Sequence, residues 1–86
     1  MSQELSMNPE LFGANLRFFR TLSRLSQEEL AKKSGVAVHI ISRIERGAMK
    51  RIPLNVAYPI TQVFNCTIEE FFLERDVQKM RMKGGV

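Results

Sequence analysis

Cysteine occurs once in the 86 residues, as Cys66, and histidine once, as His39. A single cysteine closes no internal disulfide, so nothing here implies an oxidising compartment. With Phe64 and Ile68 two positions away on either side, Cys66 reads as a small buried side chain. One histidine, one cysteine and no clustered carboxylates leave neither a nucleophile–base pair nor a set of metal ligands. The acidic pairs Glu28–Glu29 and Glu69–Glu70 fall where helices start, and capping explains them. Enzymatic chemistry, a metal and a cofactor are therefore not expected. No apolar run approaches the ~20 residues needed to span a bilayer. Met1 to Met7 lacks the basic-then-apolar pattern of a secretory leader, so the expected location is the cytoplasm. Internal repeats and low-complexity tracts are also lacking.

What is present is ordinary in amount and uneven in placement. Apolar residues make up 44% and charged residues 26%, as in a globular chain, and the length suits one domain. The net charge is +4. Between Arg17 and Arg51 nine basic residues face only Glu28, Glu29 and Glu45. From Ile52 to Asp76 the balance reverses, with Arg75 against Glu69, Glu70, Glu74 and Asp76. A basic middle suits a polyanion, although solvated charge on helix faces would account for part of it.

Helix signals run the length of the chain. Met1 to Met7 has no period and is expected to form an arm, with the domain proper spanning residues 8–73 and an extension over 74–86. Asn8-Pro9-Glu10 supplies a capping side chain, a first-turn proline and an acid. Phe12, Leu16, Phe19 and Leu22 then predict one apolar stripe on a first helix ending near Ser23. Ser26 and Glu29 form a capping box for a short second helix, stopped by Gly35. Val38 to Arg46 reads as a third helix, stopped by Gly47. Ala48 to Pro53 is a basic loop. A fourth helix is expected from near Pro53 to Phe64, kinked or delayed by Pro59. Thr67 and Glu70 form a second capping box, predicting a fifth helix that continues to about Met82. Five helices without an alternating strand pattern make the fold all-α.

The segment Gln27 to Arg46 is the informative unit. Two helices meeting at a large angle need a small residue at the contact (Ala31) and a glycine to turn the chain (Gly35). They also need apolar residues facing one core: Leu30, Val36, Ile41 and Ile44. Leu16-x-x-Phe19-Arg20, Leu25-Ser26-Gln27-Glu28-Glu29-Leu30-Ala31, Gly35-Val36 and Ile41-Ser42-Arg43-Ile44-Glu45-Arg46-Gly47 resemble the Cro/Xre-type helix-turn-helix regulators related to phage repressors. The resemblance covers roughly Leu11 to Phe72. It implies a compact phage-repressor-like domain that binds double-stranded DNA, with the helix from Val38 to Arg46 in the major groove.

Carried over by position, the resemblance puts Val38, His39, Ser42 and Arg43 at base edges. Arg43 is suited to guanine and Val38 to a thymine methyl. Gln27 would meet a phosphate and brace the reading helix. Lys50 and Arg51, past the motif, would contact the DNA backbone, with Arg17 and Arg24 as weaker candidates, and Arg46 is a further DNA-binding candidate. Arg20 and Glu45 match a structural salt bridge. Two positions depart from the pattern: Ala37 stands where a capping Ser or Thr is frequent, and Ile52 replaces a frequent proline. A homodimer on a two-fold operator is expected, paired through Phe72, Leu73, Val77 and Met80, with one of Phe71 and Phe72 kept for the core. A repressor fits this picture. The same fold also serves antitoxins with a toxin or other regulator as partner, restriction-modification controllers, and protein-interaction modules without DNA binding.

Overall fold

A computed structural model describes residues 8–74. Among these residues there are five helices and no strand: α1 (Pro9–Leu22), α2 (Gln27–Ser34), α3 (Val38–Glu45), α4 (Leu54–Val63) and α5 (Ile68–Phe71). Three of the starts, those of α1, α2 and α5, follow the side chains that cap them. The Asn8 side chain accepts from the Glu10 amide at 2.8 Å. Ser26 and Glu29 exchange hydrogen bonds of 3.0 and 2.8 Å at the head of α2. Thr67 and Glu70 do the same at α5, at 3.1 and 2.7 Å. Each exchange satisfies two amides that the helix itself leaves open.

The stops of α1 to α4 are left-handed turns. Gly35 (φ 79°) ends α2 and Gly47 (φ 72°) follows α3. Arg24 (φ 60°) and Asn65 (φ 56°) do the same work after α1 and α4. Amides of Leu25, Ala48 and Cys66 reach back to the carbonyls of Arg20, Arg43 and Thr61, five residues earlier, closing three Schellman turns. Arginine fits that conformation poorly, which is why its position carried no stop signal.

The core is built from Phe12, Leu16, Leu30, Val36, Ile41, Ile44, Ala57, Ile60, Phe71 and Phe72. At its centre, the Phe71 ring lies 4.9 Å from Phe19 and 5.0 Å from Phe12, centroid to centroid. Phe64 joins them at 5.9 Å from Phe19. This aromatic cluster ties the short α5 to α1, so four residues of helix suffice to close the bundle. Buried Asn15 adds a polar tie, donating to the carbonyls of Phe71 at 2.7 Å and Leu73 at 3.0 Å. Cys66 is half-buried, its thiol 3.5 Å from the Phe64 carbonyl.

Three expectations need correction, and a fourth, at Pro59, is narrowed. Leu22 does not continue the apolar stripe; it is 68% exposed, because α1 ends there and the chain turns away at Arg24. Helix α4 has the expected bounds, and Pro59 does not delay its start: the helix runs through it, and the proline removes one donor, whose acceptor belongs to exposed Asn55. Helix α5 ends at Phe71, far short of Met82, since a capping box fixes a start and not a length. Both Phe71 and Phe72 are buried: Phe72 packs 5.1 Å from Phe12, and this withdraws it from a dimer surface. Val77 and Met80 lie outside the described residues, as do the arm and most of the C-terminal extension.

Candidate nucleic-acid interface

Helices α2 and α3 form the helix-turn-helix. Leu30 from α2 and Ile41 and Ile44 from α3 are fully or almost fully buried, and Val36 fills the turn between them. The Gly35 amide bonds the Ala31 carbonyl at 2.8 Å, and the Ser34 hydroxyl accepts from the Val36 amide at 3.1 Å. The turn is therefore fixed by its own hydrogen bonds. Ala37 caps α3 with no side-chain hydrogen bond, as its lack of an oxygen requires.

Burial of Ile41 and Ile44 decides what α3 shows outward. With 3.6 residues per turn, His39, Arg43 and Arg46 fall on one outer strip, and Val38 and Ser42 on the strip beside it. Val38 (37% exposed), His39, Arg43 and Arg46 are exposed, and Ser42 is half-buried. The acidic side chain of α3, Glu45, is turned inward at 3% exposure. The outer face of α3 is thus free of exposed negative charge, with two arginines along it.

Glu45 is held by a three-pronged clamp. Arg20 of α1 donates through Nε to Oε2 at 2.6 Å and through its terminal nitrogen to Oε1 at 3.0 Å. Gln27, the first residue of α2, donates to Oε1 at 2.9 Å. Arg20 also donates to the Leu25 carbonyl at 2.7 Å, tying in the α1–α2 turn. The hydrogen bond to Glu45 raises the Arg20 pKa above its ordinary value, outweighing the opposing effect of burial. The end of α3 is thereby fixed to both helices that precede it.

Lys50 and Arg51 are exposed in the loop after α3. With Ile52 and Phe72 they line an open cleft against Pro9, at the head of α1. Arg17 and Arg24 are exposed on α1 and its following turn. Sequence reasoning passed over two residues that shape this region, Gly13 and Asn15. An isolated glycine inside a helical pattern is a signal of close packing that could have flagged Gly13. A buried asparagine reads in sequence like any exposed one, and nothing would have flagged Asn15.

Residues 16–71 match the HTH_3 helix-turn-helix family. The chain belongs to that family of regulators. It is 42% identical over 62 residues to an HTH-type transcriptional regulator of Methanocaldococcus jannaschii, spanning 71% of this chain and 91% of that one. Among solved structures, the restriction-modification controller C.AhdI of Aeromonas hydrophila is similar at 31% identity and a TM-score of 0.68, over 74% of this chain and 96% of the controller. A hypothetical transcription factor, NHTF, from Neisseria shares the fold with a TM-score of 0.72 at 22% identity, over 95% of each chain. This protein is thus a transcriptional regulator of the Cro/Xre type, built on a helix-turn-helix DNA-binding domain. No helix among the described residues is long and apolar enough to cross a membrane.

Proposed function

We propose that this HTH_3 regulator binds a two-fold operator in duplex DNA as a homodimer and represses from it, reading bases with Val38, His39, Ser42 and Arg43. The observation that carries this reading is the outer face of α3. Its core residues lie on the opposite side, its one acid is neutralised by Arg20, and its exposed side chains are the types that read base edges. Gln27, Arg46, Lys50 and Arg51 would position the domain on phosphates, with Arg17 and Arg24 adding to the field. Exposed apolar side chains at Leu54 (68%), Tyr58 (55%) and Leu73 (45%) remain for pairing, now that Phe72 is assigned to the core. Two reading helices would then lie about 34–36 Å apart, one turn of DNA.

Selection of bound sequences from random duplexes, followed by affinity measured against salt, tests the reading. Log affinity should fall with log salt at a slope near −0.9 for each phosphate neutralised. Absent or salt-independent binding refutes it. Light scattering that finds a monomer at micromolar concentration, with and without operator, refutes the dimer. The likeness to C.AhdI favours one second reading, that the operator controls a restriction-modification operon.

A further inference from the structure

Gly13 lies inside α1, where glycine weakens a helix relative to alanine, yet it is buried. A Cβ at this position would sit 2.0 Å from the carbonyl oxygen of Ile44, 3.0 Å from that carbonyl carbon and 3.4 Å from Glu45 Cα. All three are backbone atoms of the last turn of α3, so no side-chain rotation relieves the clash. The same flank of α1 meets the end of α3 at two further places. Glu10 approaches the position a Gly47 side chain would take, and Arg20 grips Glu45. Helix α3 is therefore seated on α1 at its C-terminal end. Val38 and His39 lie at the opposite end, with Ser42 and Arg43 between.

A helix seated at one end carries the rest of its length with it when that seat shifts. We infer that Gly13 is a specificity-positioning residue, whose missing side chain sets the depth and tilt at which α3 meets DNA. This rests on α3 being the helix that reads bases. An ordinary contact between the new carbon and the Ile44 carbonyl requires the two helices to part by roughly 1 Å or more. Binding constellations tolerate only about 0.5 Å. Phosphate contacts from the loop, made by long flexible side chains, follow such a shift more easily than hydrogen bonds to base edges.

The test compares Gly13→Ala with Ile60→Val, which removes a core methyl from α4. Both are made in an Asn65→Gly background, which relieves a left-handed asparagine remote from α3. Fluorescence anisotropy is read on the selected operator and on mixed-sequence DNA, at temperatures where circular dichroism shows both variants folded. Gly13→Ala should keep its affinity for mixed DNA and its salt slope, and lose about tenfold or more of its preference for the operator. Ile60→Val should keep that preference. Unchanged preference in Gly13→Ala overturns the inference, and so does an equal loss in Ile60→Val. Failure of Gly13→Ala to fold also overturns it, because the glycine would then serve folding at large. If the Asn65→Gly parent bound no DNA, the base-reading role itself would fall, an outcome distinct from a parent that binds and a variant that discriminates equally well.

Discussion

The amide of Gln27 donates to the Glu45 carboxylate at 2.9 Å, joining the first residue of α2 to the last residue of α3. The two helices of the motif are thus bonded at the ends remote from their connecting turn. Arg20 holds the same carboxylate from α1, so the motif's angle is set by polar contacts as well as by the core.

Removing Glu45 should therefore cost more than removing Gln27. In Glu45→Ala the Arg20 guanidinium, 15% exposed, loses both charged contacts. Breaking a buried pair costs roughly 3–5 kcal/mol, and partial exposure of the arginine brings the expected loss to about 2–3 kcal/mol. Gln27→Ala removes one hydrogen bond and should cost about 1 kcal/mol. Urea denaturation of the two variants checks the order, and equal losses would show that Arg20 contributes little to the clamp.

Helix α2 should respond to acid through Glu29. The backbone hydrogen bond from Ser26 holds the Glu29 carboxyl below its ordinary pKa, and the Ser26 hydroxyl and nearby Lys33 and Lys32 act in the same direction. A carboxyl depressed on folding contributes stability that is complete above its unfolded pKa and is lost as pH falls through the folded one. Titrated by NMR, Glu29 should have its midpoint below that of the unfolded chain. Ser26→Ala keeps that backbone amide, so it should return the midpoint only part of the way toward the ordinary value, and cost about 1 kcal/mol through the lost cap. A Glu29 midpoint that Ser26→Ala leaves unmoved would assign the shift to the backbone amide and the lysines, with no share for the hydroxyl.

How much of this was legible in the sequence depended on the kind of signal each residue carries. Capping boxes at Ser26 and Thr67 and glycine stops at Gly35 and Gly47 are local chemistry, and all four appear where the residues stand. Leu22 had the right spacing but the helix ended beneath it. The left-handed stop at Arg24 was hidden, since arginine seldom adopts that conformation, whereas Asn65 carried a stop signal that went unread. The length of α5 was misjudged because Phe71 and Phe72 are both consumed by the ring cluster of Phe12 and Phe19, a long-range fact. At the site, period alone gave the outer strips of α3. It could not give the seat on Gly13, which depends on a carbonyl thirty-one residues away.

Ala37→Ser should stabilise the domain. Ala37 is exposed, caps α3 with a non-helical backbone (φ −59°, ψ 143°) and makes no side-chain hydrogen bond. A serine oxygen there would accept from an open amide in the first turn, a gain of about 1 kcal/mol. Thermal denaturation reads the effect directly. A lower melting temperature would mean that the added hydroxyl loses more than the cap returns.

Arg43 and Lys50 separate reading from positioning. Both are exposed, but Arg43 stands on the outer strip of α3 and Lys50 in the loop beyond it. An arginine that pairs with guanine O6 and N7 supplies energy only where that base is present. Arg43→Ala should therefore cost about 1–3 kcal/mol on the selected operator and relax one base position on reselection. A lysine on a phosphate contributes to every sequence through counterion release. Lys50→Ala should weaken operator and mixed DNA alike and lower the salt slope by about one. If both variants changed the slope equally and neither altered the selected sequence, Arg43 would be a backbone contact. The base-reading face would then contract to Val38, His39 and Ser42.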